Sequence, residues 1–269
     1  MLIIAGVIAI GLQLFNVLHE FHAAQVDLPY TIVSVAVSAL WLASLVTAFF
    51  SWRPGIFVAG LLAFLEFGVV ASAQFVSGPA ALSTLVSKEG LPLATADMAI
   101  VPACALAAMS AAACWTNPRQ RNPRLEMLPL LLVAVAGAVL VILQATDDLR
   151  RKDFGSATPE DGAFAAAVLA AGWLAGGLWI SRVRRTGALL IAIASFGVAY
   201  SFITLHLLKG TTSVSQIASQ SGVQWAIFAA AAAVLAAASF LASLYVLLRS
   251  LLGRRPQTAE PAVTARRRA

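Results

Sequence analysis

Eight apolar segments, each about as long as a bilayer-spanning helix, dominate this 269-residue sequence. A hydrocarbon core of about 30 Å requires roughly 20 apolar residues in a helix. The segments of this kind are 2–18, 30–50, 55–76, 98–115, 127–144, 162–180, 187–208 and 223–248. Lipid cannot satisfy the hydrogen bonds of an open backbone, and no segment alternates like a barrel strand. The sequence therefore predicts an all-α integral membrane protein with eight transmembrane helices.

Composition excludes the main soluble classes. Hydrophobic residues make up 60% of the chain and charged residues 11%, against roughly 45–50% and about 25% in soluble domains. So few polar groups cannot cover the surface of a water-soluble enzyme of this length. The same numbers exclude a disordered protein, and two cysteines exclude a disulfide scaffold.

The first apolar segment is short enough to resemble a signal peptide. A signal peptide carries a positively charged region before its apolar stretch. No Lys or Arg precedes this segment. We therefore expect a helix that is retained in the mature protein.

Basic residues predict the orientation, because cytoplasmic loops of membrane proteins are enriched in Lys and Arg. Thirteen of the 18 basic residues fall on one side of the predicted spans, and nine of the 12 acids fall on the other. We predict a multi-pass plasma (inner) membrane protein with its N-terminus outside and its C-terminus in the cytoplasm. The bias to Arg over Lys, together with the Ala content, is typical of GC-rich bacteria. The net charge of +6 then reflects topology, and we expect lipid rather than nucleic acid as partner.

Four short sequence matches indicate an internal repeat. Leu12-Gln13 recurs as Leu143-Gln144, and Trp41-Leu42-Ala43 recurs as Trp173-Leu174-Ala175. Phe67-Gly68-Val69 and Ser87-Lys88-Glu89-Gly90 have counterparts at 196–198 and 219–222. The spacing between the two members is almost the same in every match, which favours duplication over coincidence. We predict two tandem, parallel four-helix repeats, at 1–125 and 126–252, and a disordered basic cytoplasmic tail at 253–269.

Glu66 is the sharpest polar feature, because it falls near the middle of the third span. An ionised acid at that depth costs at least about 2.5 kcal/mol on insertion scales. Its own face carries Ala59, Ala63, Val70 and Ala73, which predicts contact with protein. Glu66 is then either a titratable group in a translocation path or a neutral acid that hydrogen-bonds between helices. The duplicated position is Ser195, so the acid belongs to the first half alone.

Three further polar residues are candidates for a substrate or proton path, namely Gln13, Asn16 and Gln74. Gln144 stands in the second half where Gln13 stands in the first. Amide side chains within spans form hydrogen bonds between helices. By contrast, Asp147, Asp148 and Asp153 lie beside three basic residues at 150–152, which suggests a solvated outer loop.

All three histidines fall near the predicted outer boundary. His19 and His22 share one helical face, with Glu20 between them, and His206 lies at the end of the seventh span. Together these four residues could hold a metal ion or haem, or sense pH. The spacing of the first pair is one residue short of a zinc-protease motif. The alternative is histidines that hydrogen-bond to headgroups and water, and the sequence requires no cofactor.

Two hypotheses follow, and a membrane enzyme ranks behind both because no acid, base and nucleophile occur together. In the first, the protein is transporter-like or channel-like for a small solute or ion, with Glu66 as the titratable group near the interface of the repeats. In the second, it is a non-catalytic accessory subunit that docks onto a membrane-protein partner or a second copy, with the histidine cluster outside.

Overall fold

The computed structural model describes residues 2–22, 28–50, 52–75, 81–88, 90–116, 128–152, 154, 158–180, 183–208 and 213–252. Every regular element in these ranges is helical, and none is a strand. The tail 253–269 lies outside the described residues, as does Asp153.

The predicted all-helical class is confirmed. The helices are α1 (Leu2–His22), α2 (Leu28–Phe49), α3 (Arg53–Gln74), α4 (Leu82–Lys88), α5 (Leu91–Thr116), α6 (Leu128–Arg151), α7 (Pro159–Trp179), α8 (Arg184–Phe202), α9 (Val214–Gln220) and α10 (Val223–Leu252). A π-helical segment, Ile203–Leu208, continues α8. Eight of these helices are long and apolar enough to cross a membrane, and each overlaps one of the eight predicted segments. The short helices α4 and α9 were not predicted.

The long helices form two rings of four. In the first half, α1, α2, α3 and α5 pack in sequence, and α5 returns to α1. In the second half, α6, α7, α8 and α10 do the same, and α10 returns to α6. The halves meet mainly where α5 packs against α7 and α6. We call the two ends of the bundle the carboxylate end, where α1, α3, α6 and α8 finish, and the arginine end, which carries Arg53, Arg184, Arg185 and Arg249.

Small residues bring neighbouring helices close together. A Cβ atom added to Gly176 of α7 would lie 2.6 Å from Cγ1 of Ile191 in α8. A Cβ atom on Gly60 of α3 would lie 2.6 Å from that of Ala111 in α5. Trp41 and Trp173 are fully buried and pack inside the bundle.

Two predicted boundaries were wrong, and both errors concern acids. Helix α5 begins at Leu91 rather than at 98, so Asp97 is a buried helical residue and not part of a loop. Helix α6 ends at Arg151 rather than at 144, so Asp147 and Asp148 are buried and not solvated. Hydrogen bonds and ion pairs make this burial possible, because they replace the water that each carboxylate loses.

Helix α5 is continuous through Pro102. Proline has no amide hydrogen to donate, so the helix lacks one hydrogen bond at this place. Pro102 is buried among the helices that surround α5. Neighbouring helices commonly support a proline in a membrane helix in this way.

Candidate solute-binding site at the carboxylate end

The last two turns of α6 carry a buried group of charges. Gln144, Asp147, Asp148 and Arg151 share one face, because they are spaced three and four residues apart. Nε of Arg151 donates to Oδ2 of Asp147 at 2.9 Å, and its Nη2 donates to Oδ1 of Asp148 at 2.5 Å. The side chain of Arg151 is only 7% exposed. One guanidinium therefore holds two buried carboxylates against the same helix.

Arg150 belongs to the rim of this group, since its side chain is 39% exposed. Its Nη2 lies 3.3 Å from Oδ1 of Asp147. Its guanidinium carbon also lies 6.0 Å from the centroid of the Trp225 ring, on α10. Arg150 thus bridges α6 and α10 at the carboxylate end through an ion pair and a cation–π contact.

Gln144 connects the charges to a histidine on another helix. Its Nε2 donates to Oδ1 of Asp148 at 3.0 Å and lies 3.4 Å from Nε2 of His206. His206 is buried on the π-helical segment after α8. With the amide as donor, the arrangement suits a neutral imidazole whose Nε2 carries a lone pair. Oε1 of Gln144 is buried and has no hydrogen-bond partner among the described residues.

A cavity of about 230 Å³ lies beside this network, between α6, α7, α8 and α10. Its wall is mostly apolar and includes Phe154, Phe202, Ala229 and Ala232. Its polar lining consists of Gln144, Asp148, Asp161, Ser201 and His206. Apolar walls with a few convergent polar groups are typical of small-molecule sites.

Asp161 stands in the first turn of α7 and marks the exposed part of this lining. Thr158 caps the helix: its hydroxyl accepts from the amide of Asp161 and donates to Oδ2 of Asp161 at 2.7 Å. Beside it, Ser83 of α4 donates a hydrogen bond to Oε1 of Glu160. The cap and the contact with the first half fix the start of α7, and hence the position of the Asp161 carboxylate.

The first half closes the same end of its ring with neutral amides and one acid. Ser38 of α2 donates to Oε1 of Gln13 at 2.8 Å. Nδ2 of Asn16 donates to Oδ1 of Asp97 on α5, and both residues are buried. The prediction that Gln13, Asn16 and Gln144 hydrogen-bond between helices is therefore confirmed. Thr95 and Thr146 join the halves, with their hydroxyl oxygens 3.2 Å apart.

Glu66 is half-buried in the middle of α3, and Ala59, Ala63 and Val70 on its face are buried as expected. It lies close enough to Cys104 of α5 to interact electrostatically. Its carboxyl group makes no hydrogen bond to the described part of the chain. Because α3 packs mainly against α2 and α5, Glu66 is one helix removed from the contact between the halves. Gln74, at the end of α3, is also half-buried, and its Oε1 has no described partner.

The histidines belong to different halves. His19 lies on α1, which packs against α2 and α5, with its ring 6.3 Å from that of Phe15. His206 contacts Gln144 of α6. The side chains of Glu20 and His22 lie outside the described residues. Among the side chains that are described, no three His, Cys, Asp or Glu residues come together as metal ligands, and the metal or haem site stays a prediction.

The network around His206 was not predicted, although one sequence signal pointed to it. Gln144, Asp148 and Arg151 follow the i, i+4, i+7 spacing of a single helical face. That spacing continues the sixth helix past its apolar stretch instead of ending it in a loop.

Comparison with protein-family models, curated proteins and solved structures gave no match to this chain. The function must therefore be inferred from the residues that line the cavity and from Glu66.

Proposed function

We propose that this protein is a transporter-like membrane protein that admits a small solute to the cavity of its second half. The observation that carries the proposal is a cavity inside a bundle of apolar helices, lined on one side by His206, Gln144 and Asp148. Polar and ionisable groups are expensive at membrane depth, and they mark solute or ion pathways by default. Solute sites of carriers also lie inside helix bundles built from repeats.

Glu66 is, in this proposal, the titratable group of the first half. The carboxyl group lies at mid-span without a hydrogen bond to a described residue, so its position is not explained by a structural contact. Gln13, Asn16 and Gln74 are, in the same proposal, the further polar groups of this path. Solute and proton would then use different halves, coupled through α5, which contacts both.

The two halves are, in our proposal, tandem repeats at 1–125 and 126–252. Gly90 and Gly222 stand at equivalent positions of the two halves, each two residues past the end of a short helix, α4 or α9. Both have positive φ angles, of 91° and 102°. Only glycine adopts such angles without strain. Trp41 and Trp173, which are separated by the same spacing as the two glycines, are both fully buried, with no described partner for either Nε1. These shared details favour duplication over coincidence.

The orientation is part of the same proposal: an inner-membrane protein whose arginine end and C-terminus face the cytoplasm. The N-terminus predicted outside does not agree with eight spans, because an even number of crossings brings both termini to one side, and α1 begins at the arginine end. The arginine end carries Arg53, Arg184, Arg185 and Arg249, as the cytoplasmic side should. A protease-sensitive tag at the C-terminus should resist protease in intact cells and be cleaved in inverted vesicles. Cleavage in intact cells would invert the orientation and place the cavity mouth in the cytoplasm.

An accessory subunit is the second candidate, and half-burial of Glu66 favours it. A carboxyl group that is partly exposed at mid-span would face lipid in an isolated chain, which is costly. A hydrogen-bond donor from a membrane-protein partner or a second copy would remove this cost. Affinity purification from native membranes should then recover a stoichiometric partner, and Glu66→Ala should release it.

Current measurements on reconstituted protein test the transporter proposal. Proteoliposomes adsorbed to a solid-supported membrane are given small organic cations, neutral solutes and anions in turn, under a proton gradient. At least one class should produce a proton-linked current with the wild-type protein. The current should be lost in Glu66→Gln and kept in Glu66→Asp, which retains a titratable group. Absence of current with every class would overturn the proposal, and an unchanged current in Glu66→Gln would remove Glu66 from the mechanism.

A further inference from the structure

We propose that the cavity of the second half selects a small organic cation, namely an ammonium group attached to an apolar body about the size of one aromatic ring. This inference rests on one part of the proposed function, namely that the cavity is the binding site. Binding is a separate property from transport, so each can be tested without the other.

The charge of the lining favours a cation. Two carboxylates, Asp148 and Asp161, contribute to the wall, and no Lys or Arg does so in the part of the chain that the structure describes. Arg151 is engaged with Asp147 and Asp148 on the α6 side and is not a lining residue. Because Arg151 already compensates the charge of Asp148, the negative charge of the described lining comes from Asp161, and both carboxylates contribute acceptor oxygens.

The hydrogen-bonding groups point to the same ligand. Oε1 of Gln144 is a buried acceptor without a described donor, while the amide nitrogen of the same side chain is occupied by Asp148 and His206. Buried acceptors are nearly always paired in native proteins, so this oxygen calls for a donor. An ammonium group supplies up to three N–H donors, enough for Gln144 and a carboxylate together.

The remaining walls suit an apolar body. Phe154 and Phe202 offer aromatic rings, and Val141, Leu169 and Leu205 add aliphatic surface. Ala229 and Ala232 of α10 leave the space open, since neither has a side chain beyond Cβ. The volume of about 230 Å³ exceeds the roughly 150 Å³ that hold benzene in an engineered protein cavity. The cavity therefore has room for one aromatic ring together with a short amine chain.

Competing occupants are less well matched. An organic anion would approach Asp148 and Asp161 with no basic residue in the described lining to receive it. A lipid chain would fill the apolar part, but it would leave Oε1 of Gln144 without a donor. Only a cationic amphiphile satisfies both the charged and the apolar parts of the wall.

Calorimetry with three probes of one shape tests the assignment. The full-length protein in nanodiscs is titrated with 2-phenylethylammonium, with neutral 2-phenylethanol and with anionic 3-phenylpropanoate. The cation should bind at least about tenfold more tightly than the anion. In Asp161→Asn, affinity for the cation should fall several-fold while affinity for 2-phenylethanol stays unchanged. Asp161 is exposed, so this variant should fold normally.

Filling the cavity provides a second, independent test. Ala229→Leu should abolish binding of the cation, because its side chain projects into the space that the ligand needs. Ala238→Leu adds the same atoms to an exposed position of α10 and should leave binding unchanged. Equal affinities for all three probes, a lipid that co-purifies and excludes them, or full binding to Ala229→Leu would overturn the inference. Binding of the cation without any current in proteoliposomes would overturn the transporter proposal alone.

Discussion

The two halves treat the same end of a four-helix ring in different ways. In the first half, Asn16 of α1 and Asp97 of α5 are hydrogen-bonded and join the two helices. In the second half, α10 presents Ala229 at the position equivalent to Asp97, and a cavity lies beside it. Under the proposed duplication, one ring has a hydrogen-bonded acid at this position and is closed. The other ring has alanine there and is open. A binding site can thus arise in a repeat by removing a contact.

The halves also differ in how they neutralise polar groups. Gln13 and Asn16 bond to side chains on neighbouring helices of the first half. On α6, by contrast, Asp147, Asp148 and Arg151 form an ion group along one helix. The first arrangement joins helices directly, whereas the second leaves the interior of the ring free for a ligand.

The largest expected effect comes from removing the shared cation of the second half. Arg151→Met would leave Asp147 and Asp148 buried without the guanidinium that holds them, so the free energy of unfolding should fall by about 3–5 kcal/mol. Unfolding in mixed micelles would measure this. Arg150→Met is the matched control and should cost about 1 kcal/mol or less, because Arg150 is well exposed. Equal losses of stability in both variants would show that the buried ion pairs of Arg151 contribute no more than the exposed one of Arg150.

A pair of glycines compares the packing of the first two helices in each half. A Cβ atom on Gly137 of α6 would lie 2.7 Å from Cη2 of Trp173, inside a fully buried ring. Gly137→Ala should therefore lower the free energy of unfolding by about 1–3 kcal/mol. Gly6→Ala should cost less, since the nearest atom is the end of the flexible Leu45 side chain. Gly11→Ala meets open space and serves as control; a loss there as large as at Gly137 would contradict the packing explanation.

Removing the closing contact of the first half should have a similar but more variable cost. Asp97→Ala leaves the amide of Asn16 buried without its acceptor, and stability should fall by about 1–3 kcal/mol. Asp97→Asn keeps an acceptor oxygen and should lose clearly less. The same unfolding assay compares the two. If the alanine and asparagine variants were equally stable, the bond from Asn16 would not hold α1 to α5.

The smallest effect is expected at the bond between α1 and α2. Ser38→Ala removes the donor to Oε1 of Gln13, and side-chain hydrogen bonds in membrane proteins contribute about 0.6 kcal/mol on average. Ser72→Ala changes an exposed serine that bonds only to its own helix, and should be neutral by the same unfolding assay. A loss at Ser38 as large as at Asp97 would mean that the amide of Gln13 also closes the first half.

Hydropathy was enough to predict the eight long helices, because apolar length is a property of each segment by itself. Hydropathy failed where polar residues continue a helix. The apolar stretches stop near Asp97 and Asp147, whereas the helices α5 and α6 include these residues. The partners that allow this burial, such as Asn16 and Arg151, can be recognised only from spacing or from the fold. The cavity depends on the relative position of four helices, and no local pattern reports that.

The short helix α9 was missed for a different reason. At seven residues, Val214–Gln220 is too short for apolar periodicity to predict it. Its start nevertheless carries a capping box, in which Ser213 and Gln216 bond to one another's backbone. Such Ser-x-x-Gln spacing is a sequence-level sign of a helix start.

Pro102 gives the centre of the molecule a point of mechanical weakness. Its ring leaves the carbonyl oxygen of Met98 without the amide donor that an uninterrupted α-helix would supply. Helix α5 is also the main link between the two rings, so a bend at Pro102 would change their relative position. Bending there would swing the Asp97 end of the helix, together with its contact to α6, away from Cys104 and Glu66. Rocking of one ring against the other would require no new hinge.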